Sequence, residues 1–577
     1  MEKIEDLKDK KEQYLKFFEW LFDDEEILDK TIDLSEEIDL SLCSTYEDPN
    51  IYYPEQIKKF FDTKAMKRLS RISQLGLASN TFSNLYHTRL EHSKGVYNRK
   101  VEELFYNFQN SDWKKYIEEN NLKQYLIAEL IKVAGHDIGH FPFSHAFEEQ
   151  VIEKRGFHEE IGKKLMLEDE EITKVINSIS PSLHSILEEL YSKNIMNFKS
   201  HDESSYDNDR LDYLQRDNLY AGYRDTLPSQ KYTTVKVKSD KNNLPIVNQD
   251  SSISESNDGN LFIDVYDYSS LPEILKALHM RQKQYKEIYM GQLTSMSESS
   301  ISNFLKAFLK SNSNVGKELQ EYLLYFKNNS SNSQNINLEF FKEFDEILFY
   351  FNLLEIAEKH EDKNIRDLAT MIIPKFSEFL KLINSFLDFK KNPTNLSASD
   401  KALLLKIKSI IQNNSELSNK LENPNFINNN VLVLPEKFNV RNSGLQDLIT
   451  TFSFKTASYK KKEPIYIRNS DGKIYELSSL PGLEEDILKK DKIYFRFLNI
   501  PFLRFNGISE NTINKLRFRF FFIPFLRSNG ISEHIINKLK FRFFKKTEKD
   551  FKHPECNMSP VQSHHNLKAN FTNLEIE

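Results

Sequence analysis

The dipeptide His136-Asp137 is the sequence feature that most constrains what this chain can fold into. Adjacent residues do not share one helical face. At a helix end, however, they can reach one metal ion, one through nitrogen and the other through oxygen. His92 upstream and Asp209 downstream add a second imidazole and a second carboxylate. Such a mixed set, with positions left for water and substrate, is typical of metal-assisted hydrolysis. The fold must then bring three distant segments together.

Composition indicates a water-soluble, helix-rich chain. Only 15 glycines and 17 prolines occur among 577 residues, which favours helices joined by short polar loops. The length predicts two or three domains. Two cysteines, Cys43 and Cys556, are too few for a disulfide framework and indicate a reducing compartment. The charged first ten residues do not resemble a signal peptide, and no run reaches the roughly 18 apolar residues of a membrane span. We therefore expect a cytoplasmic protein without a membrane partner.

Hydrophobic spacing predicts a mainly α fold. Apolar residues recur every three or four positions through most of 55–310, as expected for helices. Within this region, 232–238 and 260–266 alternate with a period of two and predict a small β-hairpin insertion. From 431 onward, strand-like segments predict a C-terminal α+β module.

A tandem duplication with a 23-residue period follows, in which 500–510 is nearly repeated by 523–533. From Lys489 to Asp550 there are fifteen Lys and Arg residues against five Asp and Glu residues. Basic residues interleaved with aromatic ones suit single-stranded nucleic acid, so 489–550 is a candidate for binding it. The alternative is a repeat insertion that is neutral to activity. Two copies fall short of the three or more that a solenoid needs.

Four blocks occur in order, at 68–76, 87–96, 135–145 and 209–217. Together they resemble the HD-domain phosphohydrolases. More narrowly, they resemble the deoxynucleoside triphosphate (dNTP) triphosphohydrolases, a family that includes the SAM-and-HD-domain enzyme of animals and bacterial relatives. The similarity implies a helical HD core. The predicted regions are an N-terminal helical extension (1–45), the HD core (46–310), a helical region (311–425), the α+β module (426–499), the tandem repeat (500–545) and a flexible tail (546–577).

The resemblance implies that His92, His136, Asp137 and Asp209 hold one divalent ion, which could be Mg, Mn, Fe or Co. The implied reaction is attack on the α-phosphorus of a dNTP, giving deoxynucleoside and inorganic triphosphate. His158 falls where the family keeps its proton donor. Glu148 would orient His158 and favour its cationic form.

The resemblance also assigns residues to the substrate. Arg89, His140 and His145 would contact the α-phosphate, with Arg89 and His145 also counted as catalytic. The outer phosphates and the deoxyribose would be bound by Arg210, Arg281, Gln74, Leu75, Tyr213, Asp217 and Tyr289. Of these, Tyr289 would crowd C2′ and exclude a ribose hydroxyl. The alternatives are a surface ion pair for either arginine and core packing for either tyrosine.

Three positions depart from the family pattern. Glu148 stands where the family usually has Asp, and Arg210 where the animal enzyme has Lys. Ser70 replaces an Arg that holds an activating nucleotide in the animal enzyme, so activation of that type is not expected. The expected partners are a dNTP and further copies of the chain, from dimer to hexamer with a tetramer favoured. Two other functions stay open: another HD-type activity (nucleotidase, phosphodiesterase or nuclease), and a nucleic-acid-binding regulator with an HD core.

Overall fold

The structure is a computed structural model. It describes residues 2–23, 32–33, 52–80, 82, 84–192, 206–223, 227, 234–238, 262–374, 405, 409–410, 413–423, 426, 430–434, 445–456, 465–468, 474–480, 491–517 and 520. The second repeat copy and the predicted tail lie outside these residues. Among the described helices, none is both long enough and apolar enough to cross a bilayer.

The prediction of a mainly helical fold is confirmed. The α-helices are α1 (Glu2–Phe22), α2 (Glu55–Phe61), α3 (Lys64–Arg68), α4 (Arg89–Phe108), α5 (Ser111–Glu119), α6 (Lys123–Ala134), α7 (His145–Phe147), α8 (Phe157–Glu168), α9 (Glu170–Ile179), α10 (Leu183–Ser192), α11 (Asn208–Tyr220), α12 (Leu271–Gln284), α13 (Gln292–Phe308), α14 (Lys317–Asn328), α15 (Leu338–Glu343), α16 (Glu346–Lys359), α17 (Lys363–Thr370), α18 (Ser415–Glu422), α19 (Ile500–Phe505) and α20 (Glu510–Arg517). Wider π-helical turns follow α7 and α12 at Glu148–Ile152 and Tyr285–Tyr289.

Nine short strands form three small sheets among the described residues. They are β1 (Ile32–Asp33), β2 (Tyr52–Tyr53), β3 (Thr234–Lys238), β4 (Phe262–Asp267), β5 (Val431–Leu434), β6 (Ile449–Thr456), β7 (Tyr466–Arg468), β8 (Ile474–Glu476) and β9 (Asp491–Asn499). β1 pairs with β2, and the other sheets have the orders β3-β4-β7-β8 and β5-β9-β6.

The predicted hairpin is confirmed, because β3 and β4 pair antiparallel with Val235 opposite Val265. It does not stand alone: β4 also pairs in parallel with β7 from the α+β region. The sequence reading missed β9, although this strand lies at the centre of its sheet between β5 and β6.

The first repeat copy follows β9 directly as α19 and α20. Its apolar residues Ile500, Leu503, Ile513 and Leu516 are buried against the sheet residue Leu498. The basic Arg504 forms an ion pair with Glu510. In this copy these four apolar residues therefore stabilise the fold.

One hydrophobic core joins the predicted HD region to the helices that follow it. Phe141 and Phe147, beside the His136-Asp137 segment, pack against Phe326 of α14 and Phe344 between α15 and α16. The segment that carries His136 and Asp137 is thus anchored to helices outside the predicted HD region.

Candidate active site

The four predicted metal ligands come from three elements. His92 lies one turn into α4, whose start is fixed by a reciprocal capping box between Thr88 and the third residue of the helix. His136 and Asp137 follow the end of α6. Asp209 lies in the first turn of α11. Local helix ends therefore present all four side chains.

Three of the four converge closely. Nε2 of His92 lies 3.2 Å from Nε2 of His136 and 2.9 Å from Oδ1 of Asp209. The distance from His136 Nε2 to the same carboxylate oxygen is 3.4 Å. These three residues form a group that can hold a metal ion. Asp137 lies beside them, with its carboxylate oxygens 3.4 Å from His136 Nε2 and 3.8 Å from His92 Nε2.

The chemistry of this group fits a cation. His92 Nδ1 contacts Asp212 at 2.9 Å, and His136 Nδ1 contacts the carbonyl of Val133 at 2.8 Å. Both Nδ1 atoms are therefore donors, so each Nε2 faces the other ring and the Asp209 carboxylate and can offer a lone pair to a metal ion that displaces its proton. Burial opposes the charged form of His136, but Asp137 and Asp209 nevertheless raise its pKa to about 10. The site thus favours positive charge, and a divalent ion bound by His and carboxylate would supply it.

Asp212 contacts Nδ1 of His92, the ring nitrogen that does not face the other candidate ligands. This role was not predicted. Asp212 is fully buried and also pairs with Arg216 at 2.9 Å. Gly95 makes this approach possible, since a Cβ atom there would lie 2.1 Å from the Asp212 carboxylate. A carboxylate that orients a histidine ligand in this way usually tunes metal affinity.

We expect Asp212→Asn to weaken divalent metal binding by roughly 10- to 100-fold, because His92 loses its negatively charged acceptor. Isothermal titration with Mn²⁺ would measure this. Asp367→Asn is the matched control, because that carboxylate pairs with Lys420 away from the site. Unchanged Mn²⁺ affinity in Asp212→Asn would contradict a supporting role for Asp212.

Arg89 and His140 also contact the Asp137 carboxylate. The Arg89 guanidinium donates to the Asp137 carboxylate and, at 2.8 and 3.2 Å, to Oγ of Ser144. His140 Nε2 lies 3.2 Å from Asp137 Oδ1. Although burial opposes ionisation, Arg89 keeps the pKa of Asp137 well below its usual range. Fixed positive charge therefore lies next to the candidate metal site.

Glu148 contacts two of the predicted histidines. Its Oε1 lies 2.8 Å from Nδ1 of His158, and its Oε2 lies 3.3 Å from Nδ1 of His145. The Glu148 carboxylate also accepts from the backbone amides of His158 and Gly156, at 2.6 and 3.3 Å. Burial raises the pKa of Glu148, but the hydrogen bonds from His145 and His158 outweigh it and lower that pKa below its usual range. His158 also stacks on His140 at 3.9 Å between ring centroids.

The predicted sugar contacts form a second group. The Tyr289 hydroxyl donates to Asp217 at 2.6 Å, and the Tyr289 ring lies 6.2 Å from that of Tyr213. His87, which was not predicted, holds the other oxygen of Asp217 at 2.7 Å. Tyr213 also lies 6.4 Å from the ring of His92. The sugar group is thereby linked to the candidate metal ligands.

Gln74 and Leu75 lie next to each other at the edge of these groups. Gln74 is buried, its carbonyl accepts from Arg89 at 3.4 Å, and its side-chain oxygen has no hydrogen-bond partner among the described residues. Leu75 is half-buried against a small apolar cluster that includes Ile288, next to Tyr289.

Arg210 and Arg281 differ in their surroundings. Arg210 pairs with Asp207 at 2.8 Å, and both side chains are largely buried. Arg281 is buried, and its guanidinium lies 5.5 Å from the ring centroid of Tyr285. Despite its burial, Tyr213 and Tyr285 raise the pKa of Arg281, so it remains charged. Arg281 therefore places fixed positive charge next to Tyr213.

Comparisons with known proteins agree with an HD core. No protein-family model matches the chain. A putative HD domain-containing protein of Acanthamoeba polyphaga mimivirus is 38% identical over 184 residues, covering 29% of this chain and 40% of that protein. A protein of Dictyostelium discoideum, named deoxynucleoside triphosphate triphosphohydrolase SAMHD1 homolog, is 31% identical over 191 residues, covering 29% and 34%.

Among solved structures, a phosphohydrolase of Bacteroides thetaiotaomicron aligns with a TM-score of 0.47 at 20% identity, over 78% of this chain and 98% of that one. The chain spans about a third to about half the length of the curated relatives it matches. The sequence matches support an HD-domain core.

Proposed function

We propose that this protein is a metal-dependent HD-type phosphohydrolase that cleaves dNTPs into deoxynucleoside and inorganic triphosphate. The observation that carries the proposal is the convergence of His92, His136 and Asp209 beside Arg89. The similarity to the Dictyostelium protein supports the choice of substrate.

His92, His136, Asp137 and Asp209 would hold the ion. When bound, a divalent ion polarises a phosphoryl oxygen and lowers the pKa of water. Arg89 and Arg281 supply fixed positive charge for a triphosphate, which carries about four negative charges at neutral pH. Arg210 would have to exchange its contact with Asp207 for phosphate, so its role is the one least supported by geometry.

The reaction needs a proton on the leaving oxygen. The P–O5′ bond breaks as water oxygen bonds to the α-phosphorus, and the 5′-oxygen leaves as an alcohol once protonated. Nδ1 of His158 faces Glu148, so Nε2 is the atom from which His158 would donate that proton. The contact with Glu148 fixes the orientation of the His158 ring.

Selection of deoxyribose would rest on Tyr289 and its neighbours. Its hydroxyl is fixed by Asp217, which is itself held by His87. A ring fixed in this way cannot easily move to admit a 2′-hydroxyl, and steric exclusion of that kind discriminates between substrates.

The test is chromatography of the products from a panel of dNTPs and NTPs with Mg²⁺, Mn²⁺, Fe²⁺ and Co²⁺. We expect deoxynucleoside and intact triphosphate from dNTPs, and little turnover of NTPs. Monophosphate with pyrophosphate, or orthophosphate, would instead indicate another HD-type phosphohydrolase, and no cleavage of any nucleotide would contradict the proposal. The inactive control is the double variant His136→Ala/Asp137→Ala.

A further inference from the structure

A strained segment of backbone lies between the His136-Asp137 pair and Glu148. Phe143 has a φ of 56°, and Ser144 has a φ of 50° with a ψ of −119°. Residues other than glycine rarely adopt such angles, and two in succession persist only where surrounding contacts hold them. Strain of this kind is often found at functional sites, where it positions a particular group.

The strained loop determines where Arg89 points. Ser144 Oγ accepts from Arg89 at 2.8 Å through Nη2 and at 3.2 Å through Nε. The remaining Nη1 donates to the Asp137 carboxylate. Ser144 and Asp137, together with the more distant Gln74 carbonyl at 3.4 Å, thus orient the guanidinium, and the Ser144 acceptor depends on the backbone angles at that residue.

A carboxylate from outside the predicted HD core holds this loop. Glu346, the first residue of α16, is fully buried, and its Oε1 accepts from the Phe143 amide at 3.1 Å and from Ser73 Oγ at 2.8 Å. The Phe143 ring packs edge-to-face on Phe349 and Tyr350 of the same helix, at centroid distances of 5.0 and 5.3 Å. Helix α16 therefore contacts both the backbone and the side chain of Phe143.

The charge of Glu346 is costly to the fold. Burial raises its pKa to about 7, although hydrogen bonds from Phe143 and Ser73 and the charge of Arg89 oppose this shift. Glu346 interacts electrostatically with the guanidinium groups of Arg68 and Arg89 and with the phenol of Tyr350. A buried acid that is this unfavourable requires a reason other than stability.

We propose that Glu346 is a positioning residue of the active site, which holds the strained Phe143-Ser144 backbone and through it directs Arg89 toward substrate phosphate. This inference rests on the proposed function for its choice of ligand. It makes α16 part of the site's architecture, although the sequence places it in a separate helical region.

The test compares Glu346→Leu with Glu346→Gln. A glutamine oxygen can still accept from the Phe143 amide, whereas leucine cannot. We expect Glu346→Leu to weaken binding of inorganic triphosphate, measured by isothermal titration, and to lower kcat/KM for dNTPs, each by up to about 10²-fold, because small misplacements of a positioned group have effects of that size. Glu346→Gln should stay within roughly threefold of wild type for both, and Mn²⁺ affinity should be unchanged in either variant.

A thermal unfolding series across pH tests whether Glu346 carries a buried charge in the folded protein. Because the folded pKa of Glu346 lies above that of an ordinary glutamate, wild type loses stability as pH rises from about 4.5 to about 7. Glutamine does not titrate, so the Tm of Glu346→Gln relative to wild type should rise over that range. Glu355→Leu is the matched control, because Glu355 is half-exposed on the same helix and pairs with Lys359.

Triphosphate binding equal to wild type in a folded Glu346→Leu protein would overturn the inference. If Glu346→Leu does not fold, the Ser144→Ala variant provides the test. It removes the Ser144 hydroxyl that accepts from Arg89 but keeps Glu346 as the acceptor for the Phe143 amide. Wild-type triphosphate affinity in Ser144→Ala would also overturn the inference. Binding of inorganic triphosphate does not depend on turnover. A wild-type protein that binds triphosphate but cleaves no dNTP would therefore contradict the proposed function and leave the role of Glu346 supported by its own test.

Discussion

Replacing His136 and Asp137 together by alanine is expected to abolish binding of one divalent ion and to lower phosphohydrolase activity by at least about 10³-fold, since a catalytic metal supplies several kcal/mol of transition-state stabilisation. The remaining His92 and Asp209 leave only one nitrogen and one carboxylate at the site. Binding is measured by isothermal titration with Mn²⁺, and activity by product chromatography.

His184→Ala is the control for this variant. His184 lies on α10, where its ring contacts the Leu167 carbonyl at 2.9 Å and Glu188 at 3.7 Å. The His184→Ala variant should bind Mn²⁺ and turn over substrate as wild type does. Full metal affinity in the double variant would place the ion elsewhere and remove the basis of the hydrolase proposal.

The candidate metal ligands could be named from the sequence because each lies at a helix boundary in a recognisable block. The residues that support the candidate metal and sugar groups could not. Asp212 and His87 are ordinary polar residues in the sequence, and their roles arise only where α4 and α11 meet. Gly95 is the one sequence signal that could have indicated this close approach of two helices, because only glycine fits there.

The same limit applies to longer distances along the chain. Glu346 acts on Phe143 across 203 residues, and no local pattern records such a contact. β9 was missed for another reason: it is rich in aromatic and basic residues like the repeat that follows, so composition does not separate the strand from the repeat. Periodicity identifies elements, but the partners of an element depend on tertiary packing.

His158→Ala is expected to lower the rate of dNTP cleavage by about 10²- to 10⁴-fold, the usual contribution of a positioned acid. The cause would be loss of the proton that the 5′-oxygen must receive. Glu148→Gln should have a smaller effect in the same direction, because the imidazole remains but loses the carboxylate that contacts its Nδ1 at 2.8 Å.

The leaving group provides the sharper measurement. In an aryl triphosphate whose α-phosphorus carries 4-nitrophenolate, the leaving group departs without a proton, so His158→Ala should turn it over within roughly tenfold of wild type. His136→Ala/Asp137→Ala should lose both substrates, since the metal site serves both. If His158→Ala instead loses both substrates equally, His158 supports the site by its stacking on His140 and not by donating a proton. The two mechanisms thus differ in a ratio of rates that instability of the variant cannot imitate, because unfolding would lower both rates together.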